Sequence, residues 1–312
     1  MKKILFAAVI MLSALTAQAQ KSVTINPTLK VGMQKTYITR GEATSPGQAA
    51  ADATGELSYK VVGKTADGFQ IDMVSKASNV DMSQILQNMN ATNITQLLNS
   101  MKVEVLTDKK GALTGIKNSE ELIGKCKALV DSIFNTAISQ NSEMKNNEMM
   151  KSFMQKTVTT MTDMFTEDYL LETFRQTPSA ITLNGKTITE GMVEEGKFAQ
   201  MLKTKTTYSI LNGGKTIVLD TKADVDKPSM KAYMLKMMSN LMPESVTQET
   251  NPEQLSEMID GLISNGTLKI DMNSKATYDI GDDGWVKKMV MEMEMTAPGQ
   301  STKARQVFTE KE

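Results

Sequence analysis

Met289, Met291, Met293 and Met295 stand at every second position of one segment, with Glu292 and Glu294 between them. Period-two spacing turns four thioethers to one face of a strand and the carboxylates to the other. A second methionine stripe, Met230, Met234, Met237, Met238, Leu241 and Met242, recurs at helical spacing after Lys227-Pro228-Ser229. Methionine is unbranched and polarizable, so it fills irregular cores and also suits pliable apolar binding surfaces. Both readings stand for these two stripes. In the sharper one an apolar ligand lies between Met234, Met237 and Met238 on the helix and Met289, Met291, Met293 and Met295 on the strand. Thioethers can also take Cu(I), but no histidine and no clustered cysteine supports such a site.

Other chemistry is excluded more firmly. The 312 residues contain no histidine and one cysteine, Cys126. Imidazole-based triads, His-ligated metals and an intramolecular disulfide are therefore impossible. Cys126 lies between Lys125 and Lys127, which could lower its pKa, but it has no basic partner for catalysis. No glycine-rich phosphate loop or nucleophile elbow occurs. Asp279-Ile280-Gly281-Asp282-Asp283-Gly284 resembles a calcium loop but misplaces its ligands, because Gly281 takes the third position and Val290 the twelfth. It reads as a hairpin turn. Acidic pairs such as Glu194-Glu195 read as solvated surface, and Lys203 to Lys205 as the wet face of a strand. Carboxylate-only glycoside chemistry survives, yet one tryptophan offers few platforms for sugars. The chain is expected not to be an enzyme and to need no cofactor or metal. With 35 Lys+Arg against 36 Asp+Glu, it has no basic field for nucleic acid.

Residues 1–19 have the make-up of a signal peptide: Lys2-Lys3, an apolar run from Ile4 to Leu15, then Ala17-Gln18-Ala19. Its removal leaves 33 basic against 36 acidic residues, a net charge of −3. No later run reaches membrane-spanning length, and no cysteine follows the leader to carry a lipid anchor. The expectation is an exported protein, periplasmic or secreted, with no membrane span once the leader is removed. Residues 20–312 are expected to form a single α+β domain with a helical middle at about 118–177.

The elements that must position the methionines follow from periodicity. Strands are expected at 35–41 and 56–64, where Leu57, Tyr59 and Val61 share a face, and from Phe69 to Met73 after Asp67-Gly68. The segment 81–101 turns helical, with Asp81 as its cap. Strands at 103–107 and 113–117 precede a long helix capped by Asn118, with Leu122, Cys126, Leu129 and Ile133 on its apolar stripe. More helix with Met150, Met154 and Met161 runs toward Pro178, broken once or twice. Ile181-Thr182-Leu183 before Asn184-Gly185 reads as a strand entering a hairpin. Strands at 202–211 and 215–225 flank Asn212-Gly213-Gly214, and a short helix is expected over 252–262. The end is all strand, from Leu268 to Thr309. This order predicts an α+β fold: a curved, half-barrel-like antiparallel sheet packed on Met-rich helices.

The leader, the early hairpin from Tyr59 to Met73, the stretch from Gly111 to Glu121 leading into a long helix, and the terminal Tyr278-Asp279-Ile280 to Trp285-Val286-Lys287-Lys288 strand pair together resemble exported proteins of Gram-negative bacteria. The strand–helix order is similar to the lipoprotein-carrier half-barrels of the LolA/LppX-like superfamily. That resemblance implies a curved sheet that wraps helices and can hold acyl chains between them. It carries no catalytic residues. The function expected is binding of a lipid or other apolar ligand. The alternative is a structural or protein-interaction module of the cell envelope, meeting a protein partner and no small molecule.

Overall fold

The computed structural model describes residues 21–47, 51–80, 101–140, 147–163, 165–198, 202–241, 252–265, 270–298 and 300–312. The expected leader and all of the expected helix at 81–101 except Met101 lie outside the described residues.

The fold is α+β. Eleven strands form one antiparallel sheet in the order β6-β5-β4-β3-β2-β13-β12-β11-β10-β9-β8. They are β2 (Gln34–Thr44), β3 (Ala51–Lys64), β4 (Gly68–Val80), β5 (Lys102–Asp108), β6 (Leu113–Ile116), β8 (Val193–Phe198), β9 (Leu202–Leu211), β10 (Thr216–Val225), β11 (Asp271–Ile280), β12 (Val286–Ala297) and β13 (Gln300–Glu310). Short strands β1 (Ser22–Thr24) and β7 (Thr187–Thr189) pair separately. The described helices are α1 (Ser119–Gln140), α2 (Glu148–Thr162), α3 (Glu167–Gln176), α4 (Lys227–Leu241) and α5 (Pro252–Ser264). The sheet is not closed into a barrel, because β6 and β8 remain its two edges.

Tight turns make most neighbours in the sheet. Asp67-Gly68, Asn212-Gly213-Gly214 and Gly281 to Gly284 join consecutive strands, as their composition predicts. Gly284 has a positive φ, and a Cβ there would stand 2.3 Å from the Asn26 carbonyl oxygen, so no other residue fits. The pairing that unites the two halves is β13 on β2, from Lys303 opposite Thr44 to Glu310 opposite Tyr37.

One buried cluster reveals the curvature. It joins Ile71 of β4 and Tyr59 of β3 to Ile217 of β10 and Tyr208 of β9. Strands β4 and β9 are seven steps apart in the sheet, and a flat sheet would hold their side chains far out of contact. The sheet curls so that its opposite edges, Leu113 of β6 and Glu194 of β8, line one cavity, with Ala180, Ile181, Leu183 and Ile188 inside the curve.

That inner segment is a correction to the sequence reading. Residues 180–185 are turns, not a strand entering a hairpin. Thr177-Pro178 ends α3, the Ser179 amide donates to Thr182 Oγ1 at 2.8 Å, and Gly185 at φ 72° donates to the Ile25 carbonyl at 2.7 Å. Local alternation suggested a strand, but no sheet neighbour was left for it. Ile181 and Leu183 are instead buried inside the curve of the sheet.

Asn118 also departs from expectation. Its backbone carbonyl starts α1, accepting from the Leu122 amide at 3.1 Å. Its carboxamide does not cap the helix. It accepts from the Glu104 amide at 2.9 Å and donates to the Lys102 carbonyl at 2.8 Å, extending the sheet edge.

Candidate functional site

The concave face of β9–β12 changes character along the strands. One cross-strand row runs Ile210, Ile217, Tyr278, Met289, Phe308, and all five are buried. Two rows further on, the same face presents Thr206, Thr221, Ser274 and Met293. The first region is filled by Ile181, Leu183 and an aromatic group. Tyr37 and Tyr59 meet edge to face at 5.7 Å, and Tyr59 lies 6.3 Å from Trp285. Burial pushes the hydroxyls of Tyr37, Tyr59 and Tyr278 up from their ordinary pKa. Trp285 Nε1 donates to the Thr28 carbonyl at 2.9 Å, and Tyr37 donates to the Val286 carbonyl at 2.8 Å.

The second region encloses a cavity of roughly 680 Å³. That is within the range of about 300–1,000 Å³ typical of small-molecule sites. Its floor includes Met291, Met293, Ser274 and Thr221; Phe174 and Ile181 stand above them. Both sheet edges frame it, Leu113 of β6 on one side and Glu194 and Gly196 of β8 on the other.

The cover is α3. Its local signals are explicit: Thr166 accepts from the Tyr169 amide at 3.2 Å, Glu167 and Asp168 occupy the first turn, and Arg175 the last. Gln176 then donates to the Lys197 carbonyl, which straps the end of α3 to edge strand β8. A buried carboxylate braces the same edge. Asp226 accepts from Ser229, from Lys197 at 2.9 Å and from Lys203 at 3.0 Å, and these bonds hold its carboxyl far below the usual range.

Polar groups gather at one end of the cavity. Lys186 Nζ donates to Glu194 at 2.5 Å and to the Tyr208 hydroxyl at 2.7 Å; that hydroxyl donates to Glu194 at 2.6 Å. The Lys186 ammonium also lies 4.8 Å from the Tyr208 ring centre. Burial alone would raise the Glu194 carboxyl, but the Lys186 and Tyr208 bonds outweigh it and hold the pKa low. Burial and the adjacent carboxylate push Tyr208 up.

The methionines named from the sequence are distributed unevenly around this cavity. Met291 and Met293 line it. Met289 is fully buried in the aromatic core, and Met295, at the far end of the row, is 38% exposed. Glu292 and Glu294 face outward and pair across strands with Arg305 and Lys303. Met234 is half-buried on α4, which packs against α2 and α5, and no described side chain of α4 lines the cavity. The side chains of Met237 and Met238 lie outside the described residues.

Sequence reasoning missed α3 as the cover and missed Asn184, Lys186 and Glu194 on the wall. Asn184-Gly185 had been seen only as turn chemistry. The carboxylates of the Asp279–Gly284 turn are engaged by protein donors. Thr216 donates to Asp279 at 3.0 Å, Lys215 to Asp282 at 3.0 Å, and Lys35 to Asp283 at 2.7 Å. No cluster of three or more metal-ligating side chains is found among the described residues. Cys126 is half-buried on α1, and burial pushes its thiol up. No described helix is long and apolar enough to cross a membrane.

No protein-family model matches the chain, and no curated protein matches it.

Proposed function

We propose that this is an exported, non-enzymatic protein that binds a lipid or acyl chain between its curved sheet and its helices. The observation that carries this reading is the roughly 680 Å³ cavity floored by Met291 and Met293 and covered by α3. Flexible thioethers there would adapt to chains of different shape. Affinity would come from apolar burial, at about 25 cal/mol per Å² before ordering costs are subtracted. The lack of histidine and of any phosphate loop supports a non-catalytic role, and the leader-like residues 1–19 support export to the periplasm or beyond. The similarity of layout to lipoprotein-carrier half-barrels points the same way.

Native mass spectrometry of the protein purified from its own envelope tests this reading, followed by solvent extraction of whatever is bound. Bound lipid that disappears in a folded Met291→Glu, Met293→Glu variant supports it. Lipid-free protein that also fails to take up fatty acids or their esters in solution overturns it and leaves an envelope interaction module as the better account.

A further inference from the structure

The floor of the cavity carries one polar row. Glu194 of β8, Thr206 of β9, Thr221 of β10 and Ser274 of β11 stand opposite one another in turn, and Met293 of β12 follows. All five line the cavity. The rows beside it are apolar, with Leu219, Ala276 and Met291 on one side and Ala223 and Met272 on the other. The three hydroxyl residues are half-buried and keep bonding capacity. The Thr206 and Thr221 hydroxyls bond each other at 2.8 Å, which leaves one of their two O–H groups unused. The Ser274 hydroxyl has no partner among the described residues. At the head of the row, Glu194 Oε2 accepts from both Lys186 and Tyr208, while Oε1 has no partner among the described residues. The Glu194 side chain is 44% exposed, so that oxygen can be reached.

We infer that this row is a head-group track, and that it takes an uncharged head bearing several hydroxyls, the glycerol or sugar ester of an acyl chain. The inference rests on the apolar-ligand reading above and specifies the ligand's polar end. A bare alkyl chain laid over the row would strip water from its hydroxyls without replacing the lost bonds, which costs affinity. Glu194 to Ser274 spans three strand spacings, about 14 Å, which is too long for a single carboxylate to follow. The row offers donors and acceptors together, and hydroxyls answer both. Charge on the wall is already balanced. Lys186 pairs with Glu194 at 2.5 Å, and Arg175 with Glu172 at 3.9 Å. An anion would therefore meet Glu194 with its cation committed, and an ammonium would have to displace Lys186. The acyl chain would lie on the apolar row of Leu219, Ala276 and Met291.

Calorimetric titration of the full-length chain with ten-carbon compounds that differ in the head, at neutral pH and below their micelle concentrations, tests the assignment. Monodecanoylglycerol or decanoyl glucose should bind about tenfold tighter than methyl decanoate, the worth of one or two buried hydrogen bonds. The tighter of the two tells a glycerol head from a sugar head. In the Thr221→Val, Ser274→Ala variant, which nearly keeps the side-chain bulk, that advantage should fall to about twofold while methyl decanoate binds as before. Ser274→Ala alone repeats the comparison should the double variant fail to fold. Methyl decanoate, decanoate or decylamine binding as tightly as both polyol esters, or an advantage undiminished in the variants, overturns the head-group assignment and leaves the apolar-ligand reading standing. Failure of every compound to bind the wild-type chain overturns both.

Discussion

The two ends of the concave face are built from the same strands, two to four residues apart, yet they pack differently. At one end Met289 sits among Tyr278, Phe308 and Trp285 with no exposed surface. At the other, Met293 lies beside Ser274 and Thr221 against a cavity. The difference comes from what stands opposite. Residues 180–183 fill the first end, and α3 bridges the second without descending into it. A continuous pattern along one strand can therefore serve two purposes, according to whether another part of the chain reaches it.

Removing Trp285 should have the largest effect. Trp285→Ala empties the filled end and frees the Thr28 carbonyl, costing about 3–5 kcal/mol in urea unfolding. A loss under about 1 kcal/mol would mean that this end is not the dry core described above.

The same truncation at each end then sharpens the contrast. Met289→Ala should cost about 2–5 kcal/mol, whereas Met293→Ala, which only enlarges an existing cavity, should cost about 1 kcal/mol or less. Equal losses would show that the two ends are packed alike.

Acid should loosen the open end through Asp226. Its folded pKa lies below the ordinary value of 3.8, so its contribution is complete above about pH 5. That contribution is lost as the pH falls through 3.8 toward the folded value. Asp226→Asn should flatten the acid limb of a stability–pH curve measured between about pH 2 and 6. An unchanged limb would assign acid sensitivity to other groups, beginning with Asp283 at the filled end, whose carboxyl is also held low despite its burial by bonds from Lys35 and the Trp285 amide.

The smallest effect is expected at the strap. Gln176→Ala removes one hydrogen bond between α3 and β8. The loss should be about 1 kcal/mol or less. Amide exchange in α3 should quicken while exchange in β11 and β12 is unchanged. Quickening in both would mean that the helix and the sheet open as one unit.

The amino-acid sequence determined the local structure by itself. Alternation placed Leu57, Tyr59 and Val61 on one face, glycine-rich turns made the hairpins, and period two turned Met289 to Met295 inward and Glu292 and Glu294 outward. These outcomes follow from the pleat and from backbone freedom at glycine, which involve only residues close in the chain. Pro178 likewise marked the end of the helical middle.

Only the tertiary structure decided which partner each face met. The methionine stripe of α4 has the right spacing to cover the ladder, but α4 packs on α2 and α5, and α3 covers the cavity. The Ile181–Leu183 segment alternates like a strand, yet the closing of β13 onto β2 leaves it inside the curve of the sheet. Asn184 carries a turn signal in the sequence, and its burial depends on Gly111 and Ile25, residues far apart in the chain. Periodicity specifies which way a side chain points. What it points at depends on how distant segments share a limited interior, and that is settled only when the whole sheet has closed around them.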